Sequence, residues 1–165
     1  MTGGESCAGE RNAAHLSVSH SDGRLPMTAS PTQWLIKSEP QKYGFSDLVR
    51  DGRTLWDGVR NNQAALYLKA MKCGDQALFY HSVKELAVVG VAEVVREAFI
   101  DPTDPAGRFV AVEFAPVRAL AHPVELGAMK ANPALAGMAM FRQFRLSVTP
   151  IQPDEWAVIM AMAGE

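Results

Sequence analysis

Short apolar runs, separated by glycine, proline and charged residues, divide the chain into segments of the length expected for strands and helices. Several runs are rich in valine, isoleucine and aromatic residues, which favour strands. The runs around Val88 and Val112 are predicted to be central strands of a sheet. The pattern as a whole predicts five strands, over residues 33–36, 76–81, 88–95, 108–117 and 145–148.

Helical periodicity is clearest over residues 61–72. Ala64, Leu68 and Met71 share one face there, at positions i, i+4 and i+7, and Gly74 follows the end of the segment. The other predicted helices are a short one with Ser46 as N-cap, one or two short ones over 123–135 that break at Asn132-Pro133, and a C-terminal one over 153–162.

The order of these elements predicts the fold class. Strands and helices are mixed without a regular β-α-β alternation, which favours an α+β domain with a curved antiparallel or mixed sheet flanked by helices. The 165 residues, 48% of them hydrophobic, supply one packed core. Residues 1–31 lack apolar periodicity and are predicted to be a disordered tail, with Met27 as an alternative start, and residues 32–165 to be the folded domain.

Net charge and hydropathy limit which binding partners are expected. The chain has 16 Lys+Arg against 18 Asp+Glu, a net charge of −2, whereas proteins that coat a duplex usually carry a basic excess. A nucleic acid would therefore be held by a local cluster of arginines. No apolar run approaches the roughly 20 residues that cross a bilayer. We therefore expect no membrane partner, and a location in the cytoplasm or, in a eukaryote, the nucleus. We also expect a monomer.

The sequence offers no assembled catalytic site. His81 and Ser82 are neighbours at a predicted strand, where adjacent side chains point to opposite faces and cannot form a base–nucleophile pair. No spacing of Cys, His, Asp and Glu resembles a metal site, and no phosphate-binding glycine loop follows a strand. We therefore expect that the protein is not an enzyme and uses no cofactor. An enzyme such as a hydrolase ranks third, after the two binding hypotheses given below.

Polar and aromatic residues collect instead at the ends of predicted elements. A pocket for a nucleobase needs flat side chains for stacking, amides or hydroxyls for the base edge, and Arg or Lys for phosphates. Three clusters supply them: Trp34, Lys37, Ser38 and Glu39; Trp56, Arg60, Asn61 and Gln63; and Tyr80, His81 and Ser82. Trp34 is expected in the core, Trp56 fits either core or pocket, and Asn61 fits either an N-cap or an anion contact at a helix start.

At these residues the chain resembles the EVE domain. The segments that carry the resemblance are "WLIKSEP", "LWDGVRNNQAALYLKAMKCGD", "LFYHS", "VVGVAEVVREAFIDPT" and "FRLSVTPI", in the order and spacing of that domain, over residues 33–164. The resemblance implies a PUA-like fold, a curved mixed sheet or pseudo-barrel flanked by helices. A more distant similarity to the YTH reader domain shows in the Lys-Ser pair after the first strand and in "GVAEV".

The resemblance also implies a function. The likeness to EVE domains, including those of the thymocyte nuclear protein kind, implies that the protein binds nucleic acid carrying a modified base and catalyses no reaction. The base would be a modified cytosine in DNA or a modified base in RNA. The residues that would form the pocket are Lys37, Ser38, Glu39, Trp56, Val59, Arg60, Asn61, Gln63, Tyr80, His81 and Ser82, with Phe109 from a short loop and with Arg142, Arg145 and Ser147 at the rim.

Two positions and one loop depart from the family pattern. Asn62 stands where tyrosine is common, Ala65 where arginine is common, and the short loop before Phe109 brings no tryptophan. Extraction of a base from a duplex costs a few kcal/mol, while one stacked aromatic returns about 1–3 kcal/mol, so a reduced cage favours single-stranded or distorted substrate. The rival hypothesis, supported by the near-neutral charge, is a regulatory module that binds a free nucleotide or small metabolite in the same pocket.

Overall fold

The computed structural model describes residues 33–165, which form a six-stranded mixed sheet with five α-helices around it. The strands are β1 (Gln33–Ser38), β2 (Thr54–Trp56), β3 (Gln76–His81), β4 (Ala87–Ile100), β5 (Val110–Glu125) and β6 (Val148–Ile151). The helices are α1 (Phe45–Asp51), α2 (Asn62–Ala70), α3 (Leu126–Ala131), α4 (Ala139–Arg142) and α5 (Pro153–Met162), with a 3-10 helix at Pro133–Leu135. The predicted tail and the alternative start at Met27 lie outside the described residues.

The sheet is mixed, curved and open. Its strand order is β2-β5-β4-β3-β1-β6, in which β1 runs parallel to β3 and every other neighbouring pair is antiparallel. The register between β4 and β5 shifts at four places, and such bulges bend strands and increase their twist. The predicted α+β class with a curved mixed sheet is therefore confirmed, and the pseudo-barrel stays unclosed between β2 and β6.

Alternate side chains of the strands build two hydrophobic cores, one on each face of the sheet. Trp34 and Ile36 of β1 belong to the core that α1 and α2 cover, whereas Leu35 belongs to the core that α3 and α5 cover. Because both faces are covered, the strands are apolar at consecutive positions. The predicted apolar face of α2 is confirmed by the full burial of Leu68 and Met71.

The beginning of α1 differs from the prediction. Gly44, not Ser46, is the N-cap, and its N–H donates to the carboxylate of Asp47 at 2.7 Å. The N–H of Phe45 donates to Nε2 of His81 at 3.1 Å. The prediction of Ser46 as N-cap is wrong because a carboxylate in the first turn and a histidine from β3 supply the acceptors that a capping serine would provide.

The last strand was predicted three residues too early. Residues 145–147 form a loop, and β6 begins at Val148 and continues through Pro150 to Ile151. A proline is tolerated there because β6 is an edge strand that pairs only with β1 among the described strands. The sequence pattern also missed the short β2 and α4, and β5 extends to Glu125, where a helix was expected from Pro123.

Within residues 33–165, no helix combines the length and apolar character that a bilayer crossing requires.

Candidate functional site

A cavity of about 620 Å³ opens where β1 ends, between the loop that leads into α2 and the loop that precedes β6. Ten of the residues predicted for a site line this cavity, which brings together segments more than a hundred residues apart in sequence. They are Lys37, Ser38, Glu39, Trp56, Val59, Arg60, Asn61, Ser82, Arg145 and Ser147. Phe144 also lines the cavity, although the sequence patterns did not point to it.

Backbone and side-chain hydrogen bonds hold the end of β1 against the loop that precedes β6 and against the segment that follows β3. The N–H of Lys37 donates to the carbonyl of Ser147 at 2.9 Å, and the N–H of Ser82 donates to the carbonyl of Ser38 at 2.9 Å. The ammonium of Lys37 donates to the carbonyl of Phe144 at 2.9 Å, and burial lowers the pKa of Lys37. The cavity wall is therefore fixed by contacts that do not depend on a ligand.

Trp56 is a core residue with one edge at the cavity. It ends β2, a strand that the sequence pattern missed, opposite Val112 of β5. Only 8% of the residue is exposed, and its ring meets Phe79 at 5.9 Å and Phe114 at 5.6 Å between centroids, both edge to face. Of the two interpretations left open by the sequence, the core therefore accounts for most of the side chain, while the exposed edge remains available to a ligand.

Asp101 organises the loop on the far side of the cavity. Its fully buried carboxylate accepts from the N–H of Gly58 at 2.8 Å and from the guanidinium of Arg60 at 3.0 Å. It also accepts from the N–H of Thr103 at 2.7 Å and from the Thr103 hydroxyl at 2.6 Å. Burial alone would raise the pKa of Asp101, but the bonds from Thr103, Gly58 and Arg60 outweigh it and lower this pKa to about 2.

The Asp101 network explains the position of Arg60. The guanidinium is held by Asp101 and by the hydroxyl of Thr103 at 3.0 Å, and it lies 5.3 Å from the ring centroid of Phe109. Phe109 therefore packs behind Arg60 and is absent from the cavity lining. Sequence reasoning missed Asp101, whose only signal was an Asp-Pro pair directly after a long strand.

Asn61 acts as a helix cap. Its Oδ1 accepts from the N–H of Ala64 at 3.0 Å, the arrangement of an N-cap, so this alternative from the sequence is confirmed while Asn61 still faces the cavity. Gln63, in the first turn of α2, is exposed and does not line the cavity.

Tyr80, His81 and Arg142 lie apart from the main cavity. Tyr80 is buried and lines a smaller neighbouring cavity, and burial raises its pKa. Nε2 of His81 accepts from Phe45, and its Nδ1 lies 3.0 Å from the Glu85 carboxylate. Both ring nitrogens of His81 are thus engaged away from Ser82. Arg142 lines a different cavity.

The hairpin that follows Ser82 is strained. Val83 and Glu85 have φ angles of 70° and 63°, in the left-handed region that non-glycine residues seldom adopt, and a β-branched residue is an outlier there. Such strain persists only where the surrounding structure holds it, and it is common next to binding sites. Val83 of this hairpin is 68% exposed and lines another cavity, together with Glu85 and Leu86.

Charges at the cavity are of both signs. Lys37, Lys42, Arg60 and Arg145 are the basic residues of its lining, and Glu39 and Asp57 are the acidic ones. The Glu39–Lys42 pair, at 3.3 Å, is exposed. Among residues 33–165 no group of three or more His, Cys, Asp and Glu side chains is placed to hold a metal ion. The site can therefore offer an aromatic edge, hydroxyls and a few cations to an uncharged or singly charged planar group.

The open curved sheet, the helices on both of its faces and the cavity at the strand ends define a PUA-like α+β module. A sequence profile described as the EVE domain matches residues 32–162. The chain belongs to the EVE domain family.

Individual relatives agree with this assignment. The chain is 33% identical to thymocyte nuclear protein 1 of Homo sapiens, over 79% of this chain and 73% of that protein. The structure is similar to Rpa0253 of Rhodopseudomonas palustris, with 44% identity, a TM-score of 0.77, and coverage of 81% of this chain and 93% of that chain.

Two structures of complexes are also similar. Human THYN1 in complex with 5-methylcytosine-containing DNA has a TM-score of 0.77 at 30% identity, over 81% of this chain and 98% of that chain. The YTH domain of Zygosaccharomyces rouxii MRB1, in complex with N6-methyladenosine RNA, has a TM-score of 0.52 at 16% identity, over 84% of this chain and 92% of that chain. The second likeness concerns the fold alone.

Proposed function

We propose that this protein binds, without reaction, a modified base of a nucleic acid in the cavity at the end of β1. The observation that supports this most is the composition of the lining: the edge of Trp56, the serines 38, 82 and 147, and the cations Lys37, Arg60 and Arg145 face one space. The exposed edge of Trp56 can contact a base edge to face, the hydroxyls can bond to the edge of the base, and the cations can hold its phosphates.

The similarity to human THYN1 in complex with 5-methylcytosine-containing DNA supports a modified cytosine in DNA as the first ligand to test. The proposal assigns binding to residues 32–165 and no role to residues 1–31. It also treats the protein as a binding module and not an enzyme, in keeping with the engagement of His81 by Phe45 and Glu85.

The test is a fluorescence anisotropy titration of the full chain with short single strands that differ only in cytosine or 5-methylcytosine at one position. We expect tighter binding of the modified strand. Arg145→Ala should weaken binding of both strands, because an exposed rim cation contacts phosphate and carries no base information. Arg118→Ala is the matched control, since Arg118 lies with Glu165 and Met160 away from the cavity. Equal affinity for the two strands would contradict the proposal for this base, and the same pair of strands in RNA would then be compared.

A second candidate function is the binding of a free nucleotide or small metabolite in the same cavity. The net charge of −2 favours it, because phosphate neutralisation supplies most of the non-specific affinity for nucleic acids. The free 5-methylcytosine nucleoside, titrated beside the strand, separates the two functions. Equal affinity for nucleoside and strand would favour the small-molecule function.

A further inference from the structure

A second cavity of about 290 Å³ adjoins the candidate base pocket. The two cavities share Lys37, Ser82 and Phe144, so these residues form a wall with one cavity on each side. The sequence patterns did not point to Phe144, and the proposed function above assigns no role to this second space.

The lining of the second cavity is apolar and aromatic with cations at its edge. Tyr80, Phe141 and Met140 form part of it, and Lys130 joins Lys37 as a basic residue. Flat aromatic surface beside positive charge is the combination with which proteins bind single-stranded nucleic acid, because every base has a face to stack and every nucleotide a phosphate. The charge of both lysines complements a phosphate backbone and disfavours a basic peptide.

Phe144 is the most exposed large aromatic residue among those described. The residue is 69% exposed, and Leu86, which lines the same second cavity, is 44% exposed. The Phe144 ring is flanked by the guanidinium of Arg145, 5.8 Å from its centroid. An exposed aromatic ring beside an arginine at the mouth of a pocket is a ready surface for stacking a planar group.

The wall between the cavities is also where a phosphate would be needed. The ammonium of Lys37 has three N–H donors, one of which is used by the carbonyl of Phe144. Two successive nucleotides, one in each cavity, would place their linking phosphate over this wall, within reach of the same ammonium.

Resting on the function proposed above, we propose that the second cavity takes the nucleobase adjacent to the modified one, stacked on Phe144. The ligand of this site is then a strand of at least two consecutive nucleotides, bound as a step and not as an isolated base. Phe144 is a specificity residue for strands over free nucleosides.

The experiment compares three short single strands in anisotropy titrations: one with 5-methylcytosine and intact neighbours, and two with an abasic site on one or the other side of it. Wild-type protein should lose about 5- to 150-fold in affinity for one of the abasic strands, the value of one stacked base. Phe144→Ala should bind the intact strand more weakly than wild type by the same factor. It should bind that abasic strand with the same affinity as wild type. Phe144→Tyr should retain the affinity, and Leu66→Ala, which truncates an exposed apolar residue on α2, should bind as wild type.

The outcomes separate this inference from the proposed function. The inference is wrong if Phe144→Ala binds the intact strand as tightly as wild type. It is also wrong if the variant binds the abasic strand more weakly than wild type does, so that the two losses of affinity multiply. The ratio of affinities for modified and unmodified strands reports on the main cavity and is taken from the wild-type protein alone, because Phe144 lines both cavities. If wild type binds modified and unmodified strands equally but loses affinity at the abasic neighbour, the proposed function is contradicted and the Phe144 subsite is supported. No binding of any strand would contradict both. Urea midpoints of the variants confirm that they are folded.

Discussion

Replacement of Asp101 by asparagine isolates the interaction on which the Arg60 side of the cavity depends. One carboxylate oxygen of Asp101 accepts both bonds from Thr103, and the other accepts those from Gly58 and Arg60. Asparagine keeps one oxygen and turns an NH₂ group toward the donors on the other side. Two of the four hydrogen bonds are therefore lost, and donors come to face donors.

The expected cost follows from these contacts. A hydrogen bond to a charged acceptor contributes about 1.5–3 kcal/mol, but the Arg60 side chain is 41% exposed and recovers part of the loss from water. Asp101→Asn should therefore lower the free energy of unfolding by about 2–4 kcal/mol. Asp154→Asn, on an exposed position of α5, removes the same charge and should cost about 0.3–1 kcal/mol through the helix dipole.

The pH dependence gives an independent measurement. The pKa of Asp101 is lowered to about 2 from its ordinary 3.8, so the native state binds this proton less readily than the unfolded state does. The resulting stabilisation, about 2 kcal/mol, is present above about pH 4 and is lost as the pH falls through about 2. Urea titrations should show the difference between wild type and Asp101→Asn shrinking over that range. Equal urea midpoints at neutral pH, or a difference that stays constant down to pH 2, would refute this account of the Asp101 network.

Two further predictions concern the core behind the cavity. Trp56→Ala should lower the free energy of unfolding by about 3–5 kcal/mol, because the buried ring packs on Phe79; an unchanged urea midpoint would instead assign the whole ring to the pocket. Gly90→Ala should cost about 1–3 kcal/mol, because a Cβ there would come within 2.5 Å of the Phe45 ring and displace the start of α1. Gly127→Ala, where a Cβ meets no atom within 4 Å, is the control, and a Gly90 variant as stable as the Gly127 variant would contradict the close contact.

Most of the fold was predictable because its signals are local. The run over Gln76–His81 and the C-terminal helix after Pro153 match the structure, since aromatic residues after a Gly-Asp turn mark the first and a proline with acidic residues in the first turn marks the second. The predicted last strand ended at Val148, whereas β6 begins there and continues through Pro150, since a proline excludes a central strand but not an edge strand. No local signal distinguishes the two.

The candidate site was predictable only in part, for a related reason. Polar residues at strand and helix ends, such as Lys37 and Asn61, stand out in the sequence and do meet at one cavity. Asp101 bonds to Gly58 across 43 positions, and Phe144 gains its place from the contact of its carbonyl with Lys37 across 107 positions. Such pairings depend on how the loops pack against the sheet, which no periodicity along the chain expresses.

The place of β1 between β3 and β6 has a consequence for how the protein comes to be folded. Trp34 pairs with Ala77 of β3 on one side and with Pro150 of β6 on the other. The first described strand therefore cannot complete its pairing until a segment near the end of the chain is present. Long-range pairings of this kind slow folding, since the loop must close before the contacts form. During synthesis the cavity cannot assemble until Ser147 has left the ribosome and joined Lys37. Because the cavity joins the two ends of the fold, a ligand bound there opposes unfolding of the whole sheet, and the melting temperature should rise with ligand concentration.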